Sequence, residues 1–308
     1  MCIRTYINVT NPGRKGPLPA AMLSFLSVFS EGSIMPATTF WYHLPVKEGV
    51  SHTLKSAEKA EEVGFDVVSQ MDHFLYESPQ RGCIPECWTM LCAVASRTGL
   101  TVSPLVMCSL FRNPALTAKM VATLDQLTQG RVYMAIGAGW WEREFDAYGY
   151  QWLPPKDRVD RTIEATRIMR RLWTEPKVDY EGDFWRIEGC QLVPRPYTDP
   201  HPLLWNGGSG PRMLRMAGEL CDGWVTGSGD ADYVSEKMEE VLEHSQGGEK
   251  VFGHYLSIGE GQLDFDGARD RIEEFSDLGV SHFMVILSPD SESLEMLDGC
   301  EDLISSFR

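Results

Sequence analysis

From residue 37 onward the chain alternates two patterns. Short runs dense in β-branched and aromatic residues, such as 37–45 (ATTFWYHLP), 64–73 (GFDVVSQMDH), 100–111 (LTVSPLVMCSLF) and 131–139 (RVYMAIGAG), read as strands of a parallel sheet. Between them lie longer stretches in which apolar residues recur every three or four positions, the period of an amphipathic helix. Residues 51–63, 84–98 and 156–174 are of this kind, and a further helix is expected after Pro114, with Leu116, Met120, Leu124 and Leu127 at helical spacing. Proline suits a helix start because its missing N–H is not needed there. Four more strand–helix pairs follow: 203–208 with 210–220, 221–227 with 232–245, 250–258 with 266–278, and 280–287 with 292–307. The proline-, glycine- and aromatic-rich connector 175–202 reads as an insertion after the fourth helix, with a hairpin over 180–192. It is too short for a second domain. Eight such units predict one α/β domain, residues 35–308, folded as a (β/α)8 TIM barrel, whose usual size is about 250 residues.

In such a barrel the active site is built at the C-terminal ends of the strands. That rule singles out His43, Asp72 with His73, residues 108–112 with Cys108, Ser109 and Arg112, the 137–141 stretch GAGWW, the 206–210 stretch NGGSG, and residues 226–228 and 255–257. The GAGWW glycines do not form a dinucleotide loop. A G-x-G-x-x-G fingerprint needs a third glycine for close helix packing, and Glu142 stands in that place, with Pro154 and Pro155 interrupting the chain soon after. Gly137 and Gly139 either let the backbone approach a flat ring or make a turn of positive φ. Trp140 and Trp141 either wall a cavity or pack on the rim, and one of the two is expected to face the site. Asn206 to Gly210 precede a helix beginning near Pro211, so free N–H groups and a helix dipole converge there. Such a place holds an anion without a lysine, with Arg212 nearby, or is a plain capped turn.

Composition narrows the function classes. The net charge of −16 repels phosphates on average, which argues against nucleic acid or an anionic membrane as partner. No apolar run approaches the ~20 residues of a membrane span. Eight cysteines lack the density of a disulfide scaffold and read as reduced thiols of a cytoplasmic protein. Cys83, Cys87 and Cys92 have a spacing that matches no zinc ribbon, so no metal site is expected. Residues 1–34 carry Arg4, Arg14 and Lys15 before an apolar run. They match a secretory leader poorly and are expected to be a loosely ordered extension or the product of a start codon placed too far upstream.

Four stretches together resemble the bacterial luciferase-like superfamily, within it the flavin- or F420-dependent oxidoreductases: 57–74, 111–149, the 157–173 helix with the YEGDFW that follows, and 206–225. They cover most of the chain after Met35. The form GAGWWEREFDAYG is closer to the F420 branch. The resemblance implies an F420-dependent enzyme, a homodimer acting on a small-molecule substrate, with FMN as the alternative cofactor. An FMN-dependent monooxygenase and a non-catalytic cofactor-binding or dimer-partner protein are the rival functions. It also implies residue roles. His73 is the catalytic acid/base or orienting group; Asp72, Pro104, Leu105, Cys108, Ser109, Gly137, Ala138 and Gly139 surround the ring. Gly207, Gly208, Ser209 and Gly210 hold the phosphate, and His43, Trp140 and Trp141 line the substrate pocket. A non-proline cis peptide is implied near Pro104 and Leu105. The branch that oxidises sugar phosphates has a tryptophan four residues after the histidine and a glutamate after the glycines, where this chain has Glu77 and Trp140. A sugar-phosphate substrate is therefore not expected.

Overall fold

The computed structural model describes residues 38–46, 49–75, 83–287 and 294–308. The readings of residues 1–34 and of Glu77 lie outside these residues. The apolar runs become strands and the periodic stretches helices in the order β1 Thr39–His43, α1 Val50–Glu62, β2 Val67–Gln70, α2 Cys87–Ala95, β3 Thr101–Pro104, β4 Met107–Cys108, α3 Pro114–Thr128, β5 Met134–Gly137, α4 Glu142–Ala147 and α5 Pro155–Thr174. There follow β6 Val178–Glu181, β7 Arg186–Cys190, β8 Leu204–Asn206, α6 Pro211–Leu220, β9 Gly223–Thr226, α7 Ala231–Glu243, β10 Val251–Ile258, α8 Phe265–Ser276, β11 His282–Leu287 and α9 Leu294–Ser305.

One parallel sheet runs β3-β2-β1-β11-β10-β9-β8-β5-β4. Its two ends belong to a single barrel strand, because β3 and β4 are separated only by Leu105 and Val106, whose peptide bond is cis. The free edge of β3 meets the chain entering β5, where Val102 N donates to Arg131 O (3.1 Å) and Tyr133 N to Val102 O (2.9 Å), and the barrel closes. Counting β3 and β4 as one, eight strands surround the axis, each followed by a helix. Trp41, Val67, Leu105, Ala135, Trp205, Val225 and Met284 fill the interior, with Trp41 edge-on to Trp205 at 5.5 Å. No helix among the described residues is long and apolar enough to cross a membrane.

Between α5 and β8 the chain makes the antiparallel hairpin β6–β7, which climbs α5 from its last turn toward its first. Arg171 donates to Asp179 O (3.0 Å), and Glu164 accepts from Asp183 N (2.8 Å) and Phe184 N (3.2 Å). The hairpin tip is thereby carried to the start of α5, where Trp185 lies under Arg161.

The helix after Pro114 forms as expected, capped by Asn113 Oδ1 on the Ala115 and Leu116 amides, but its buried face differs from the leucine spacing. Thr117, Ala118, Val121, Ala122, Leu124, Asp125 and Thr128 face inward, while Leu116 and Leu127 are 54% and 76% exposed. Small residues win the inner face because α3 packs closely on α5, and the indole of Trp173 there donates to Ala118 O (3.1 Å).

Two buried histidines make the core acid-sensitive. His282 Nδ1 accepts from Trp41 Nε1 (3.0 Å), and His254 lies buried 4.2 Å from the Phe275 ring. Burial pushes each from 6.5 down to about 4. The neutral forms are favoured in the folded state, so this stability is present above pH 6.5 and lost as the pH falls toward 4. Urea unfolding at pH 7 and pH 5 should differ by roughly 1–3 kcal/mol, and His282→Gln should flatten that dependence.

Candidate active site

The strand ends meet around a cavity of about 440 Å³ at the mouth of the barrel. Its floor is Leu105 and Val106, its walls include Met71, Ala138, Met213, Tyr255 and Ile286, and His43, His73 and Glu144 contribute the polar edge. Val106, which sequence reasoning passed over, explains two glycines. A Cβ on Gly137 would lie 2.7 Å from Val106 Cγ2, and one on Gly207 would lie 2.5 Å from Val106 Cγ1. These strand ends lack a Cβ so that the valine can rise between them. Gly139 is different: it has φ +70°, the turn geometry that favours glycine. Gly207→Ala should destabilise the fold by about 1–3 kcal/mol through overpacking. Adding Val106→Ala should recover most of that loss in the same denaturation assay, and additive losses would disprove the contact.

His73 stands at the end of β2, where its Nδ1 lies 2.9 Å from Glu144 Oε1; the other carboxylate oxygen accepts from Phe74 N (3.0 Å). Glu144 is 1% exposed. The turn at Gly139 starts the short helix α4, and this brings a glutamate five residues further on beneath the histidine. Sequence reasoning looked for a glutamate directly after the glycines and so missed it. Trp140 lies edge-on to His73 at 5.6 Å, Trp141 at 6.2 Å, and the two indoles stack on each other. Trp140 lines the cavity and is 68% exposed, so it is the indole at the site.

His43, from β1, lines the cavity with its Nδ1 3.0 Å from Ser69 Oγ. Burial, with the nearby His73, lowers its pKa to about 4, which keeps it neutral at pH 7. Burial pushes the Cys108 thiol up to about 12, so this cavity-lining sulfur is an inert thiol rather than a nucleophile.

Asp72 turns its charge into the frame. Its oxygens accept from Cys108 N (2.9 Å) and, in a fork, from Arg112 Nη1 (2.7 Å) and Nη2 (2.9 Å), while Arg112 also reaches Glu86, the cap of α2. Burial opposes the Arg112 charge, but the two carboxylates outweigh it and push its pKa up. Ser109 points away from the cavity to Thr162 Oγ1 (2.6 Å), and Pro104 is buried in β3 below it. The cis bond falls one residue beyond the expected pair, between Leu105 and Val106.

The NGGSG loop is organised by Asn206, whose amide donates to Gly208 O (2.8 Å) and Met213 O (3.2 Å) and accepts from Gly208 N (3.0 Å). Gly207 N is taken by Ile136 O (3.1 Å). Among the described residues the amides of Ser209 and Gly210 have no acceptor, and they open onto the start of α6. Arg212 turns outward to Asp160 and away from the loop.

Residues 25–252 match the luciferase-like monooxygenase family. Similar curated proteins include an F420-dependent glucose-6-phosphate dehydrogenase of Intrasporangium calvum, 36% identical over 65% of this chain and 60% of that protein. An FMNH2-dependent dimethylsulfone monooxygenase of Pseudomonas putida is 33% identical over 53% of this chain and 43% of its own length. The chain thus spans less than two thirds of these two relatives. It spans 76% of an F420-dependent glucose-6-phosphate dehydrogenase of Amycolatopsis mediterranei, 30% identical over 83% of this chain. Among solved structures, an F420-dependent secondary alcohol dehydrogenase in complex with an F420-acetone adduct shares the fold, with TM-score 0.79 and 22% identity over 88% of this chain and 99% of that one.

Proposed function

This chain belongs to the luciferase-like monooxygenase family, and we propose that it is an oxidoreductase that binds F420 at the barrel mouth and transfers a hydride to or from a small uncharged organic substrate. The observation that carries this reading is the carboxylate-backed histidine, His73 on Glu144, at the edge of a largely apolar cavity. The residues present fit a deazaflavin. Val106 rises between two glycines that leave room above it for a planar ring, and the free amides of Ser209 and Gly210 suit its phosphate. When bound, the deazaflavin supplies a carbon that gives or accepts hydride.

The chain's own residues do the rest. His73 Nε2 holds or takes the proton of the reacting hydroxyl, while Glu144 fixes the ring by its Nδ1. Neutral His43 orients the same oxygen by hydrogen bonding. Trp140 lines the mouth of the cavity and offers an apolar wall to the substrate. Among the described residues no lysine or arginine lines the cavity, which suits an uncharged substrate better than a sugar phosphate. A second reading, an FMN-dependent monooxygenase, draws on the likeness to the dimethylsulfone monooxygenase.

Parallel titrations of F420 and FMN, followed by fluorescence, separate the two. Micromolar F420 binding with weak FMN binding supports the proposal; the reverse order replaces it with the second reading.

A further inference from the structure

The first turns of α5 lie at the barrel mouth, because this helix follows the C-terminal end of β5. Arg158 and Arg161 stand there three residues apart, on one face of the helix. Each guanidinium lies over an indole rather than against a carboxylate. Arg158 is 3.8 Å from the centre of Trp152, and Arg161 is 4.8 Å from that of Trp185 at the hairpin tip. Arg158 Nη1 donates to Gly139 O (2.7 Å), which ties it to the cavity rim. Asp160, on the same turn, reaches Arg212 in the first turn of α6, next to the free amides of Ser209 and Gly210. This stretch of α5 therefore bridges the ring cavity and the NGGSG loop.

The donors of the two arginines are incompletely used. The Nε atoms of both, and the Trp185 indole nitrogen, are enclosed by the chain without an acceptor, whereas the terminal nitrogens of Arg161 also have no acceptor and are not enclosed. A planar guanidinium held face-on by an indole keeps its N–H edge directed and free. Leaving such edges buried and unpaired is costly, and so is placing two like charges together. Burial lowers the pKa of both groups, and the neighbouring Cys108, with Glu142 beside Arg158, offsets this only in part. This is unusual company in a chain with 44 acidic side chains. An acceptor from outside the chain, carrying negative charge, would meet the accessible terminal nitrogens and offset the charge of both groups.

We propose that Arg158 and Arg161 form a clamp for the phosphate-bearing tail of the cofactor, with Trp185 of the β6–β7 hairpin as its platform. The clamp rests on the cofactor reading above and gives the hairpin a role: it delivers the indole that holds Arg161 in place.

The test uses the full chain as wild type, Arg161→Gln, Arg161→Lys and, as a distant control, Arg97→Gln, which removes only an exposed pair with Glu58. Inorganic phosphate is the first probe. It should raise the melting temperature of wild type and Arg97→Gln but not of Arg161→Gln. The second probe is the pair formed by F420 and its phosphate-free chromophore. Arg161→Gln should weaken F420 about tenfold or more and leave the chromophore unchanged, with Arg161→Lys recovering part of the loss. Equal loss for both forms, or for neither, overturns the clamp, as does a phosphate response indifferent to Arg161. If wild type binds phosphate through Arg161 but neither F420 nor FMN, the assignment to a cofactor tail is overturned and the reading of the cavity fails with it.

Discussion

Asp72→Ala should be the most damaging single change for stability, costing about 3–5 kcal/mol in urea unfolding at pH 7. The side chain is buried, and its removal leaves the Cys108 amide without an acceptor and the Arg112 guanidinium, itself only 12% exposed, with Glu86 alone. Both oxygens are engaged, so their loss also frees the end of β4 from the end of β2. Asp72→Asn keeps the shape and part of the hydrogen bonding and should cost less. If Asp72→Ala unfolds at the wild-type urea concentration, the residue is not the clamp between these strands.

His73→Ala should have the largest effect on catalysis, lowering kcat by ~10²–10⁴ while cofactor affinity stays close to wild type. The assay follows cofactor absorbance with whichever member of a panel of secondary alcohols and ketones the wild type turns over best. The split between kcat and cofactor binding is the informative part, because His73 stands at the edge of the cavity, whereas in the proposed function the cavity floor and the NGGSG loop would hold the cofactor. Glu144→Gln removes the charge behind the imidazole and leaves a hydrogen-bonding group, so its kcat should fall between the two. A turnover unchanged in His73→Ala removes the histidine from the chemistry.

Much of the fold was legible because it is written as period. Eight alternations of buried run and amphipathic stretch survive in the structure as eight barrel strands and their helices. Burial direction was less legible. Of the leucine spacing in α3 only Leu124 is buried, while Leu116 and Leu127 are exposed, because close packing on α5 favours alanine, threonine and valine at most inward positions. At the site, the strand-end rule found His43, His73 and the glycine loops, since it depends only on chain order. It missed Glu144, Val106, Arg158 and Arg161, which reach the mouth through a short helix, an irregular strand and the neighbouring helix. Glu144 had a signal that could have been used: a turn-forming glycine followed by a helix brings residues one turn in back toward the strand end. Val106 had none, because its importance appears only where two distant glycines converge on it.

The placement of the cofactor ring over Val106, between the ends of β5 and β8, is tested most directly by filling that space. Ala138 lines the cavity and is half-buried, so Ala138→Trp projects a large side chain into it. F420 titrated into both proteins should quench with micromolar affinity in wild type and fail to bind to Ala138→Trp at an unchanged melting temperature. Equal F420 affinity in the two proteins would contradict this placement.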